Sequence, residues 1–363
     1  MSLAIPRPSL VEQAAETLRR ALREGVWVER MPGERELSRQ LNVSRPTLRA
    51  ALEVLHTEGW VKVAQGRQRQ IVGRAKGAAV ERLRTVGVLT PLPLQEIPPF
   101  ALCWMDRLRE LLAQAGLQLE IHSGRRWYSR RPEKDLAALT QQAPAGAWLL
   151  LMTNERMQRW FMKSDLPAVL LGSTYPGIEL ASVDFDYRAV CRHAAGQFLQ
   201  RGHRRIVLLM ESEEGAGDRE SAAGFLEAFQ TRTGRVATPI IVHHAGTPES
   251  IRHHLQRLFS ATETPTAFLV ARSMPALMTA SELMRRGLRV PRDVAVISRD
   301  SDYFQEYFSP QLARYNADPE IHARRLSRIV CKMVTGDTSR SNCVRIMPRF
   351  FPGESLGEVR RGA

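Results

Sequence analysis

Ser44, Arg45, Thr47 and Arg49 fall within six residues of one another. An arginine can donate two parallel hydrogen bonds to the edge of a guanine, and a threonine methyl can touch the methyl of thymine. Arg35, and Arg67 and Arg69 beside Gly66, add cations within the same 73 residues. Much further on, Asp184 and Asp186 stand two residues apart. Such a pair suits acid–base work if both carboxylates reach one substrate, but a cleft rim or a helix N-terminus is the preferred reading of the spacing. Trp127 and Tyr128 follow Arg125 and Arg126, either as a stacking surface in a cleft or as a packed loop. The nine histidines contain no H-x-x-x-H pair, and Cys103, Cys191, Cys331 and Cys343 form no C-x-x-C, so neither a metal site nor a disulfide framework is expected. No glycine-rich phosphate loop and no G-x-S-x-G elbow is present, so no catalytic residue and no cofactor is assigned.

The elements that must carry the first cluster can be read from apolar spacing. Leu10, Val11, Ala14, Leu18, Ala21 and Leu22 make one stripe on a helix. Met31-Pro32-Gly33 is a turn, Glu34 opens a short helix with Leu37 and Leu41 inward, and Asn42-Val43 is a tight turn. Ser44 is an N-cap and Pro46 is tolerated in a first turn, so a third helix starts there and buries Leu48, Leu52 and Leu55. Val61–Val63 and Arg69–Val72 alternate as two strands around Gln65-Gly66, a hairpin wing. This is a helix, a helix-turn-helix and a wing, with Arg45, Thr47 and Arg49 at the end of the helix that enters a major groove. Arg67 and Arg69 flank the wing tip, where phosphate or the minor groove would lie.

Composition agrees. The 363 residues are 44% hydrophobic and 25% charged, with a net charge of +14, more chain than one core usually holds and a surface that favours polyanions. Residues 1–85 carry 16 Lys and Arg against nine Glu and no Asp. No apolar stretch is long enough for a membrane span, and the N-terminal residues lack the apolar run and small-residue cleavage site of a secretory signal, so a cytoplasmic protein is expected.

The run MPGERELSRQLNVSRPTLRAALEVLHTEGWVKVAQGR resembles the GntR-type winged helix over about residues 10–73. That resemblance implies DNA contacts at Arg35, Ser44, Arg45, Thr47, Arg49 and Gly66. Gly33 replaces the usual serine, and Arg67-Gln68-Arg69 stands where Gly-Thr-Phe is common.

After a basic linker at 74–83, strand-like and helix-like runs alternate, the pattern of parallel sheets covered on both faces, which bind ligands beyond the carboxyl ends of their strands. Strands are read at Thr85–Thr90, Ala147–Met152, Ala168–Leu171, Ile206–Met210, Ala267–Ala271 and Val294–Ser298. The segment TVGVLTPLPLQEIPPF, which ends at Phe100, resembles the LacI-type sensor, as do G-H-R-R-I at Gly202–Ile206 and G-L-R-V-P-R-D-V-A-V at Gly287–Val296. The resemblance spans about residues 84–350 and implies a periplasmic-binding-protein-like domain over 84–353, two α/β lobes crossed three times by the chain. Lobe one is expected at about 84–193 and 315–335, lobe two at about 194–314 and 336–353, with a tail at 354–363.

At the positions where this family contacts its ligand the chain departs. Ser221 stands where an arginine is common, Arg272-Ser273 where Asn-Asp is usual, and Gly172 where an aspartate often ends a strand. Asp300 of Ser298-Arg299-Asp300-Ser301 survives. Arg219, two residues ahead of the lost arginine, is expected to replace it in part. The expected ligand contacts are therefore Phe100, Trp127, Asp186, Arg219, Arg272 and Asp300. Two arginines with one aspartate suit a sugar or sugar derivative that also carries an anionic group. Arg272 paired internally with Asp300 is one alternative, and a sensor that has lost its ligand and only dimerises is another. Together these resemblances imply a homodimeric, ligand-responsive regulator, a repressor of a carbohydrate-related operon, bound to double-stranded operator DNA. A plain solute-binding protein and an enzyme fused to such a head are the rival classes.

Overall fold

The computed structural model describes residues 9–23, 27, 31–58, 60–62, 70–71, 83–211, 215–230, 237–336 and 343–359. The chain divides into two compact units, 1–82 and 83–363.

The first unit holds α1 (Leu10–Arg23), α2 (Glu34–Gln40) and α3 (Arg45–Thr57), with β1 (Val61–Lys62) antiparallel to β2 (Gln70–Ile71). Leu18, Leu37, Leu48, Leu52, Leu55 and Trp60 form its core. Asn42 takes a left-handed φ of 54° between α2 and α3, a conformation that asparagine tolerates better than most residues. Ser44 caps α3, its Oγ accepting from the Thr47 N–H at 3.3 Å. Gly66, Arg67, Arg69 and linker residues 74–82 lie outside the described residues.

The second unit contains two six-stranded sheets. Lobe one orders its strands β13-β7-β6-β5-β3-β4, from β3 (Thr85–Thr90), β4 (Gln118–Ser123), β5 (Ala147–Leu151), β6 (Ala168–Leu171), β7 (Ala181–Phe185) and β13 (Cys343–Ile346), all parallel. Helices α4 (Pro99–Gln114), α5 (Glu133–Gln142), α6 (Glu155–Ser164) and α11 (Pro319–Val334) cover it. Lobe two orders β14-β12-β11-β10-β8-β9, from β8 (Arg205–Glu211), β9 (Thr238–His244), β10 (Ala267–Val270), β11 (Ala295–Ser298), β12 (Ala313–Asn316) and β14 (Arg349–Phe351). Only β14 runs antiparallel to its neighbour there. Helices α7 (Tyr187–Gln200), α8 (Ala216–Gln230), α9 (Pro248–Phe259) and α10 (Ser273–Arg285) cover this sheet. The central strands β5, β10 and β11 are buried at every residue, which is why they read as unbroken apolar runs.

The crossings between lobes differ from those expected. The chain leaves lobe one at Asp186, before α7 rather than within it, because Val190, Cys191, Ala194 and Phe198 bury themselves in the core of lobe two. The last crossing follows residue 346. Residues 343–346, expected in lobe two, extend the lobe-one sheet instead, with Val344 and Ile346 packed on its core. The expected tail is also anchored as far as Val359. Ser355 is fully buried, and its Oγ donates to the Val296 carbonyl at 2.6 Å and accepts from the Ala313 N–H at 2.8 Å. His203 meets the Gly357 carbonyl at 3.0 Å, and the Val359 N–H donates to Arg201.

Candidate ligand cleft and DNA-reading helix

Parallel strands aim their carboxyl ends at one edge of each sheet, and there a cavity of about 210 Å³ lies between the lobes. Lobe one contributes residues from the ends of β5, β6 and β7 and from α4 and α11; lobe two contributes the loops after β10 and β11.

Arg299, directly after β11, is only 3% exposed. Its Nη1 donates to Asp218 and to the Ser221 Oγ, both at 2.9 Å, and its Nη2 donates to Asp300 at 3.0 Å. The guanidinium lies 4.1 Å above the Tyr187 ring. Burial opposes its charge, yet the adjoining Asp300, Tyr187 and Asp218 outweigh that and raise its pKa. A guanidinium does therefore stand beside Ser221, but it comes from the strand rather than from α8. Arg219 does not line the cavity; it sits 5.6 Å from the Tyr175 ring, on a different face of α8 from Ser221.

Arg272 does line the cavity, at the N-cap of α10, with φ at 70° in the left-handed region. Such backbone is costly for a residue with a side chain and clusters at functional sites. Its N–H donates to Asp300 at 3.0 Å, while its guanidinium turns to Glu211 at 3.3 Å and Asp218 at 3.8 Å. Asp300 is thus neutralised by Arg299, with Arg272 supplying a backbone hydrogen bond. Burial pushes the Asp300 carboxyl up, but Arg299 and Arg272 pull it below the usual range.

Two further carboxylates face the cavity with no cation in hydrogen-bond contact among the described residues. Asp184, at the end of β7, accepts from the Ser173 hydroxyl at 2.6 Å and from the Phe185 N–H at 2.8 Å. Burial pushes it up to about 6. The first turn of α8 approaches so closely that a Cβ on Gly217 would lie 3.1 Å from the Tyr187 ring and 3.6 Å from the Asp184 carboxylate. Asp302 accepts from the Phe100 N–H of lobe one at 2.7 Å and from the Ser273 hydroxyl of lobe two, so one carboxylate joins the N-termini of α4 and α10. Burial raises its pKa also.

The lobe-one wall is aromatic. His322 of α11 has ring centroids of Trp104 at 5.3 Å, Phe185 at 5.6 Å and Phe100 at 6.0 Å. It is 5% exposed, burial lowers its pKa to about 4, and its Nδ1 has no hydrogen-bond partner among the described residues.

Of the expected contacts, Phe100, Arg272 and Asp300 come together in the cavity. Trp127 and Asp186 do not. Trp127 is 4% exposed and packs in the lobe-one core with Leu136 and Trp148. Asp186 caps α7, accepting from the Ala189 N–H at 3.0 Å, because it lies past the strand end that presents Asp184. Asp184 carried a legible signal in its place at a strand end. Arg299, Asp302 and His322 carried none, since their importance comes from neighbours tens to more than a hundred residues away.

In the first unit, Arg35, Arg45 and Arg49 are exposed. Arg49 Nε donates to Glu34 at 2.8 Å, which fixes α3 against α2, and the Thr47 and Ser44 hydroxyls meet at 2.7 Å.

Comparison with known proteins follows the same division. Residues 10–69 match the model for bacterial regulatory proteins of the gntR family, and residues 195–356 match the periplasmic binding protein-like domain. The chain is 26% identical over 289 residues to the arabinose metabolism transcriptional repressor of Geobacillus stearothermophilus, covering 76% of this chain and 77% of that protein. It is 30% identical over 173 residues to the HTH-type transcriptional repressor PurR of Salmonella paratyphi B, covering 46% of this chain and only 49% of that one. Solved structures that share the fold include the following two. One is the transcriptional regulator CelR in a cellobiose complex, with a TM-score of 0.67, 22% identity, and coverage of 96% of this chain and 100% of that one. The other is a LacI regulator from Bacillus cereus subsp. cytotoxis NVH 391-98, with a TM-score of 0.67, 20% identity, and coverage of 75% and 97%. The chain carries a gntR-family head on a periplasmic-binding-protein-like sensor domain, the build of a ligand-responsive, DNA-binding transcriptional regulator.

Proposed function

We propose that this regulator is a cytoplasmic repressor that holds operator DNA as a homodimer and releases it when a small sugar-like molecule enters the cleft. The observation that carries this reading is the built cavity at the carboxyl ends of both parallel sheets, in a chain that also bears a DNA-reading helix. Arg45 and Thr47 read base edges, Arg49 and Ser44 support them, and Arg35 meets phosphate; Gly66, Arg67 and Arg69 are proposed contacts of the wing. A dimer sets two such helices on a pseudo-palindromic site. Relatives named for arabinose metabolism and for a cellobiose complex support a carbohydrate effector.

The expected anionic group fits this cleft poorly. Both cleft guanidiniums already have carboxylate neighbours that balance their charge, so an incoming carboxylate or phosphate meets net negative charge here. A ligand that donates hydrogen bonds meets Asp184 and Asp302 instead. Fluorescence anisotropy on DNA from beside the gene, with and without neutral sugars, sugar acids and sugar phosphates, tests the reading. Release by a neutral sugar supports it; tight binding with no preference for any sequence refutes it.

A further inference from the structure

The cleft is unevenly charged. Asp184, Asp300 and Asp302 face the cavity, and Glu211 and Asp218 attach to its arginines, so five carboxylates surround the two guanidiniums of Arg272 and Arg299. Asp300 and Asp218 answer Arg299, and Glu211 answers Arg272. Among the described residues, Asp184 and Asp302 have hydroxyl and N–H donors for partners. The wall opposite the arginines is made of Phe100, Trp104 and Phe185, grouped around His322. Aromatic faces are negative, and a cage of them with a nearby carboxylate is a site for an organic ammonium group. Independently of the carboxylates, His322 is more than nine-tenths buried on the cavity wall, and its Nδ1 has no hydrogen-bond partner among the described residues, which leaves a place for a water or a ligand group that comes close enough to bond to it.

We propose that the effector carries a protonated amine, seated between the Phe100–Trp104–Phe185 wall and the Asp184 carboxylate, with His322 as a neutral hydrogen-bonding neighbour. The ligand class is thus an amino sugar or another small organic ammonium compound. This rests on the reading of the cleft as the effector site and narrows it. Burial keeps His322 uncharged at neutral pH, so a cation there meets no like charge on that side. The same burial raises Asp184, and a carboxylate destabilised in this way gains most from a positive partner.

The test compares probes that differ in charge at one group: D-glucosamine with D-glucose, D-galactosamine with D-galactose, and choline with 3,3-dimethyl-1-butanol. Each is titrated into the full chain by calorimetry and thermal shift at neutral pH. At least one amine is expected to bind about tenfold or more tightly than its neutral partner. Asp184→Asn, whose carbonyl oxygen can still accept from the Phe185 N–H while its NH2 donates to the Ser173 hydroxyl, should cut that ratio at least fivefold, and His322→Phe should weaken the amine. Neutral partners that bind as well as the amines overturn the proposal while leaving the cleft as the effector site. Binding of neither member of any pair overturns it too. Failure of the regulator reading would show separately, as absence of sequence-specific DNA binding by the same preparation.

Discussion

A buried guanidinium needs acceptors for its N–H groups, and Arg299 finds them in Asp218, Ser221 and Asp300. From sequence it was only the residue before Asp300; nothing in its immediate neighbours announces a partner 78 residues away on α8. His322 was equally silent. By contrast Arg45 was legible, because an N-cap serine, a proline and an apolar stripe fix its place on α3 locally. Arg45→Ala is expected to weaken operator binding by about 1–3 kcal/mol and to relax sequence preference; gel-shift titration on operator and scrambled duplexes checks it. The cleft predicts a pH signature. His322 has its pKa lowered to about 4 in the fold, so the stability it contributes is present above its unfolded value and is lost as pH falls towards 4. Asp184, raised to about 6, acts oppositely: its cost above pH 6 is relieved as pH falls. The two oppose each other between pH 4 and 6. His322→Phe removes one of them, so the ligand-free variant should gain on wild type by about 3 kcal/mol between neutral pH and pH 4. Urea denaturation at several pH values measures this difference, and parallel curves for the two proteins would contradict it.

Among the elements, α7 and α8 cross closely. A Cβ on Gly224 would lie 2.0 Å from the Arg188 carbonyl oxygen, so the two helices touch through backbone. Gly224→Ala must push them apart and is expected to cost about 3 kcal/mol or more. Gly196, inside α7, has nothing within 4 Å of the same atom, so Gly196→Ala should stabilise by up to about 1 kcal/mol. Thermal melts of both variants check opposite signs from one chemical change. Long buried strands and capped helices were legible, since each is decided by its own residues. Strand β13 was not assigned to its sheet correctly, because four residues with only Val344 and Ile346 facing a core fit either lobe until the partner strand is known. The anchored tail was missed for a related reason: Ser355 is an ordinary loop residue in sequence, and becomes a buried clamp only where Val296 and Ala313 meet it.

For the whole molecule, a net charge of +14 with a concentration of arginine in the first unit sets how DNA binding responds to ions. If Arg35, Arg67 and Arg69 of each head meet phosphate, a dimer neutralises six, and the log–log slope of affinity against salt should be about −5. Anisotropy between low and physiological salt measures it, and a slope near zero would contradict DNA binding altogether. The three crossings between lobes have a consequence for the growing chain. Lobe one begins at β3, yet α11 fills its core with Ala323, Leu326 and Val330, and β13 closes its edge. Between β7 and α11 the ribosome must make all of lobe two except β14 and the residues after it. At ordinary translation speeds the apolar strands begun first wait about 10–50 s for the residues that cover them. Among the described residues, the small helical head takes its core and hairpin from residues up to 71. The nascent chain therefore holds a finished DNA reader well before its sensor is able to form, and the half-made sheet is the stage most in need of a chaperone.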